Sequence, residues 1–149
     1  MSNVLEKIIN QKKIDLLVVK KKYNNSLLIE LIKQNKSYIN FKNKISNNIK
    51  QNKISVIAEI KKASPSAGLI IKEYDPVAIA KNYFQNGASC LSILTEEKFF
   101  LGNLQHISDV KNNFKIPILC KDFFIDPYQI PLAKSFGADA ILIILNCVD

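Results

Sequence analysis

The stretch IPILCKDFFIDPYQIPLAKSFGADAILIIL, residues 116–145, decides the fold. Two apolar runs, IPILCK (116–121) and AILIIL (140–145), flank an amphipathic segment. Each run is short and apolar at successive positions, so the strand it forms is covered on both faces. The segment between them has readable ends. Asp126-Pro127 offers an N-cap followed by proline at the first helical position, and Gln129 stands where a capping box needs it. Gly137 can end the helix in the left-handed conformation. Strand, helix and strand in this order make a βα unit of a parallel sheet.

The same pattern extends upstream. SVIAEI (55–60) and CLSILT (90–95) are further strand candidates, and the four runs start about 25–35 residues apart, the length of a βα unit. Asp75-Pro76 and Gly87 bracket one connecting helix, and Leu104, Ile107 and Val110 mark the face of another. Residues 1–50 differ. Val4, Ile8, Ile9, Leu16, Leu17, Leu27, Leu28 and Leu31 fall at helical spacing, which predicts two or three amphipathic helices. Asn24, Asn25 and Ser26 break the first from the second, and a polar stretch runs from Lys42 to Lys53. The expected organisation is a helical extension over 1–50 and an α/β part over 51–149. Two architectures compete for the latter: an open doubly wound sheet and a (β/α)₈ barrel. The phosphate fingerprints GxGxxG and GxxxxGK[ST] of open sheets do not occur.

Composition narrows the function. The chain is 48% hydrophobic and 23% charged over 149 residues, which reads as a globular protein with a core. No run of about 18 apolar residues occurs, so no transmembrane helix is expected, and the N-terminus does not read as a signal peptide; a cytoplasmic location follows. The net charge is +8, yet all 21 basic residues are lysine. Nucleic-acid readers usually use guanidinium forks, so these lysines read as solvated surface charge and no nucleic-acid partner is expected. Cys90, Cys120 and Cys147 lie in or beside apolar runs without a CxxC pair or a Cys/His cluster; reduced thiols and no structural metal are expected. His106, the only histidine, stands in the helical segment LQHISDV and draws no catalytic assignment.

Reactive groups in parallel βα folds collect where strands end. Glu59 and Lys61 close the first strand two residues apart, so both point the same way. Lys121 closes the third, directly after ILC, with Asp122 next. In a barrel the two lysines meet over the mouth with Glu59 between them, an arrangement that tunes a lysine as acid, base or anion clamp. The plainer reading is that strand-end lysines snorkel into solvent. Beside Lys61 the loop KKASPSAG (61–68) places Ser64 and Ser66 around Pro65, which suits an anionic ligand and is also ordinary turn chemistry.

AEIKKASPSAG (58–68), LSILTEEKFFLG (91–102), PILCKDFFIDPYQI (117–130) and FGADAILIIL (136–145) resemble, in order and spacing, the first four βα blocks of indole-3-glycerol-phosphate synthases. The resemblance covers about residues 55–149, and a helical N-terminal extension is also typical of that family. The third block, with Cys120 before Lys121, looks most like the enteric-type enzyme, in which a phosphoribosylanthranilate isomerase domain often follows. The resemblance implies the first half of a (β/α)₈ TIM barrel, about four βα units, and a ring-closing decarboxylation. The substrate is phosphorylated, 1-(2-carboxyphenylamino)-1-deoxyribulose 5-phosphate, and no cofactor or metal is needed. By matching position Lys121 is the general acid at the substrate carbonyl and Lys61 holds the substrate carboxylate. Glu59 and Glu96 orient and charge-balance the lysines. Phe100, Phe123 and Leu142 line a slot for the anthranilate ring, and Ser64 contacts substrate anions. For the two phenylalanines the competing reading is core packing.

The family's second half, with its general-base glutamate, a substrate-binding asparagine and glycine-rich phosphate loops, finds no counterpart before Asp149. The chain is therefore expected to be a fragment of a longer product, inactive alone, with two open strand edges and one uncovered sheet face. Two other functions fit the residues less well: a Schiff-base aldolase with Lys121 as nucleophile, and a non-catalytic basic binding module.

Overall fold

The computed structural model describes residues 4–35 and 37–147. Three helices come first: α1 (Val4–Lys22), α2 (Asn25–Gln34) and α3 (Phe41–Lys50). The side chain of Asn24 caps α2 by accepting from the Leu27 amide, and Asn40 caps α3 by accepting from the Asn43 amide. The polar stretch 42–53 thus folds mostly as a third helix, along which Phe41, Ile45 and Ile49 stand at four-residue spacing. The buried positions of α1 are Ile8, Lys12 and Leu16, one stripe at four-residue spacing with a lysine at its centre.

Next come β1 (Ile57–Ile60), a short hairpin β2 (Ala63–Ser64) and β3 (Gly68–Leu69), α4 (Pro76–Gln85), β4 (Cys90–Leu94), α5 (Gln105–Asn113), β5 (Ile118–Lys121), α6 (Gln129–Ser135) and β6 (Ala140–Ile141). A 3₁₀ turn over Leu145–Cys147 follows. The strands β1, β4, β5 and β6 form one parallel sheet in that order. Parallel pairing with helical crossovers is what the doubly apolar runs predict.

One sheet face packs against α4, α5 and α6. Ile60, Leu91, Ile93, Ile118 and Cys120 meet Ala80, Ile107, Val110 and Ala133 there in a single core. The ends of α4 and the C-terminal end of α6 form as read, but α6 begins at Gln129, beyond the Asp126-Pro127 start expected, with Asp126 instead accepting from the Tyr128 amide in a turn before it. Asp75 accepts from Val77 and Ala78, and Gln129 reaches back to the amides of Ile125 and Asp126. Gly87 and Gly137 have φ of 87° and 101°.

Two expectations need correction. The fourth strand was expected over 140–145 but ends at Ile141. β6 lies at the sheet edge with only β5 beside it, so no second neighbour extends its ladder, and Leu145 stands 80% exposed. The other face of the sheet is also less open than expected: Cys90, Ser92 and Leu94 of β4 are buried. Exposure there falls on the edge strand, at Ile57.

Candidate active site

Register places the reactive residues. Glu59 pairs with Ser92, and Lys121 pairs with Leu94, so both lie on the sheet face opposite Ile60, Ile93 and Cys120. Glu59 and Lys121 come from strands on either side of β4, and they ion-pair across it. The ion pair straddles the central strand, which helps explain why Ser92 and Leu94 beneath are dry. The other Glu59 oxygen accepts from Lys61 at 2.6 Å. One carboxylate therefore holds two ammonium groups, and the cluster carries one surplus positive charge. About a third of each side chain stays exposed. Partial burial works to raise the Glu59 carboxyl, but the hydrogen bonds and charges of Lys121 and Lys61 outweigh it and hold its pKa below the ordinary value. A lysine ammonium has three donors, so each has hydrogens to offer a ligand.

Beside this cluster lies an open cavity of about 540 Å³. Lys61, Ser64, Pro65, Ser66, Phe100 and Phe123 line it, and Val4, Leu5 and Ile8 of α1 form its outer wall. Phe100 and Phe123 come from the loops after β4 and β5, with ring centroids 6.0 Å apart and planes tilted by 41°. Ser64 accepts from the Ala67 amide at 3.1 Å, and Gly68, at φ 64°, closes the tight hairpin between them. This hairpin, read only as a loop from sequence, aims the Ser64 and Ser66 edge at the cavity.

The remaining assigned residues lie elsewhere. Neither Glu59 nor Lys121 lines the cavity; both join it through Lys61, which Glu59 holds. Leu142 is not in its lining; it follows β6 half-buried, its amide donating to the Cys120 carbonyl at 3.3 Å. Glu96 was expected to balance the lysines and does not touch them. Its buried carboxylate accepts the amides of Lys98, Phe99 and Phe100, at 3.0, 2.7 and 3.0 Å. A carboxylate turned back on its own loop satisfies three amides at once, so Glu96 fixes the loop that carries Phe100. Gly102 completes that loop, because a Cβ there would collide with the Leu94 carbonyl oxygen.

Other groups read as structural. His106 is half-buried against Tyr74, ring centroids 5.3 Å apart, and its buried Nδ1 has no partner; partial burial lowers its pKa. Cys90 and Cys120 are buried thiols, pushed up by burial to about 11 and about 12. Among the described residues no three His, Cys, Asp or Glu side chains come together to hold a metal ion, and no helix is long and apolar enough to cross a membrane. Sequence reasoning missed Lys12 and the use of Asp122. The one signal was a lysine midway between Ile8 and Leu16 on the apolar stripe.

A family model described as indole-3-glycerol phosphate synthase matches residues 5–149. The chain belongs to the indole-3-glycerol phosphate synthase family. A protein of that name from Aliarcobacter butzleri is 41% identical over 146 residues, 98% of this chain and 56% of its own length. One from Zymomonas mobilis subsp. pomaceae is 39% identical over 149 residues, 100% of this chain and 56% of its own. One from Trichodesmium erythraeum is 53% identical over 91 residues, 61% of this chain and 31% of its own. The chain thus spans about half the length, or less, of these relatives. The match to the family begins at Leu5, so it takes in α1, which walls the cavity, as well as the strands that carry the lysines.

Proposed function

We propose that this chain supplies the lysine side of an active site that closes the indole ring. The substrate is 1-(2-carboxyphenylamino)-1-deoxyribulose 5-phosphate, and the products are indole-3-glycerol phosphate, carbon dioxide and water. The observation that carries this reading is one carboxylate, Glu59, holding two strand-end lysines beside a cavity with an aromatic wall. The anthranilate ring lies against Phe100 and Phe123, the two aromatic rings that the cavity offers. Its carboxylate-bearing carbon attacks the ketone carbon, and Lys121 protonates the carbonyl oxygen as the new bond forms. Carbon dioxide leaves from the ring carbon, and the new hydroxyl then leaves as water. Lys61 holds the substrate carboxylate and is the candidate acid for the dehydration. Glu59 keeps both lysines as spaced ammonium donors. Ser64 and its turn amides meet an anionic group of the substrate.

The architecture proposed is the first half of a (β/α)₈ barrel, residues 51–149, with residues 1–50 as a helical extension. The unshared edges of β1 and β6 support it. In this reading the general base and the phosphate grip lie in the further length that the relatives have, and the 149 residues alone turn over no substrate. A following isomerase domain rests only on the enteric-like block around Cys120. No metal or cofactor enters the proposal, and the place of action is the cytoplasm.

The test is a fluorescence assay for indoleglycerol phosphate on the protein that carries this chain. Turnover in the parent and its loss in Lys121→Ala supports the reading; a variant with half the parental turnover refutes the assignment of Lys121. Borohydride added with substrate is expected to trap no enzyme adduct, which separates the synthase from a Schiff-base aldolase.

A further inference from the structure

Behind Lys121, on the opposite side of β5, lies a second charged cluster that the reaction does not use. Asp122 is buried and accepts from Lys12 of α1 at 2.6 Å, from the Thr95 hydroxyl at 2.7 Å and from the Phe123 amide at 2.7 Å. Lys12 and Asp122 expose only 10% and 9% of their side chains. Thr95 is bonded twice over: its amide donates to the Lys121 carbonyl at 3.0 Å while its hydroxyl holds Asp122. The backbone at Lys121 is thus pinned from β4, and the residue after it is pinned from α1.

Alternation makes this pin directional. Cys120 and Asp122 turn toward the helical layer, and Lys121 between them turns toward Glu59. Under α1 remains a small cavity of about 60 Å³ that Lys12, Leu16, Cys120 and Asp122 line. The other acidic side chains on that cavity are otherwise placed: Asp15 accepts from Gln11 at 2.8 Å, and Glu97 is exposed. The far half of α1 is fastened separately, through Lys20 to Asp126 at 2.6 Å and through the Tyr128 hydroxyl to the Tyr23 carbonyl at 2.6 Å. The Lys12–Asp122 pair therefore governs the near half of α1, whose Val4, Leu5 and Ile8 wall the site.

We propose that Lys12 and Asp122 are positioning residues: their ion pair docks the N-terminal half of α1 and, by fixing the end of β5, sets Lys121 against Glu59. Removal of Lys12 leaves an uncompensated buried carboxylate next to Lys121, a costly state that the strand end relieves by moving. Closure of the cavity wall and alignment of Lys121 are one event in this arrangement. The inference rests on the proposed role of Lys121 for its functional meaning, but its test uses no turnover.

Two readouts are taken on the protein that carries this chain. The first is mass-resolved alkylation of Cys120 by iodoacetamide, with half-buried Cys147 as the internal control. Burial, and secondarily the charge of Asp122, push the Cys120 thiol up to about 12, so it reacts slowly while α1 is docked. The second is the Glu59 carboxyl titration followed by ¹³C NMR. Lys61 and Lys121 are the charges that face Glu59, and the variants alter neither. In Lys12→Met we expect Cys120 to react about tenfold faster or more, the loss expected for one charge-assisted bond. We also expect the Glu59 titration to move up toward its ordinary value. Lys12→Arg restores both. Fast alkylation with an unmoved Glu59 titration overturns the positioning role, and unchanged alkylation overturns the docking role. Should Lys12→Met fail to fold, Asp122→Asn keeps an acceptor for Thr95 while breaking the ion pair. The same two changes are then expected of it, and their absence overturns the proposal equally. Loss of the synthase reading would show in the Lys121→Ala assay and leave both of these readouts untouched.

Discussion

Strand β5 carries a lysine–carboxylate pair at each end, and the two are built to opposite specifications. At its start the Asp139 carboxylate accepts from the Ile118 amide at 2.8 Å, the Ile39 amide at 2.7 Å and the Lys111 ammonium. Lys111 and Asp139 expose 4% and 0% of their side chains. One cation meets one anion, backbone amides take up the remaining acceptors, and three distant segments are riveted together. At the end of β5, Glu59 meets two lysines, a third of each side chain is exposed, and a cavity adjoins. Residue types do not separate these clusters. A neutral, closed and fully bonded pair can only hold structure, whereas a surplus ammonium with open donors can act on a ligand. The open cluster lies at the carboxyl end of the strand, where parallel βα folds keep their chemistry.

Five substitutions sharpen or break that comparison. The largest effect is expected at Lys121→Ala, with turnover down about 10²–10⁴-fold, as for loss of a general acid, and a melting temperature close to the parent's. Lys111→Met should do the reverse. It strands a buried carboxylate and should cost about 3–5 kcal/mol of stability in urea unfolding. If Lys121→Ala destabilises as much as Lys111→Met, the two ends of β5 are not different in kind. Lys61→Met comes next. Losing a charge-assisted contact to the substrate carboxylate should cost about 1.5–3 kcal/mol of binding, read as a higher KM together with a lower kcat. An unchanged KM means that Lys61 does not grip the ground state.

Much of the open end was legible in the sequence. Four doubly apolar runs gave the strands, and the two-residue spacing of Glu59 and Lys61 gave their common face. The position of Lys121 after ILC gave its place at a strand end. The closed end was not legible. Asp139 draws its partners from positions 39, 111 and 118, and no local pattern signals contacts of such sequence separation. Lys12 was hidden for a related reason: in a chain of 21 lysines, one more on a helix reads as surface. Glu96 misled because sequence shows a carboxylate near the lysines but not the three amides that claim it. The short β6 shows the limit of apolar runs, since a run becomes strand only as far as a neighbour pairs with it.

The smallest effect concerns acid and separates the open cluster from the core. The Glu59 carboxyl lies below its ordinary value because the charges of Lys121 and Lys61 outweigh burial. A depressed carboxyl contributes stability that is fully present above the unfolded value of 4.5 and is lost as pH falls through the folded one. Solvent screens these partly exposed groups, so the contribution should stay within about 1 kcal/mol. His106 acts in a different window. Burial lowers its pKa, so below 6.5 the unfolded chain takes up a proton that the folded chain refuses, and stability falls from there. Urea unfolding from pH 7 down to pH 3 should therefore show two limbs. Glu59→Gln is expected to flatten only the limb below 4.5, and His106→Gln only the one that begins at 6.5. If Glu59→Gln leaves the acid limb as steep as in the parent, the lysines do not hold that carboxylate in solution. The open end of β5 would then be three independent surface charges rather than a cluster.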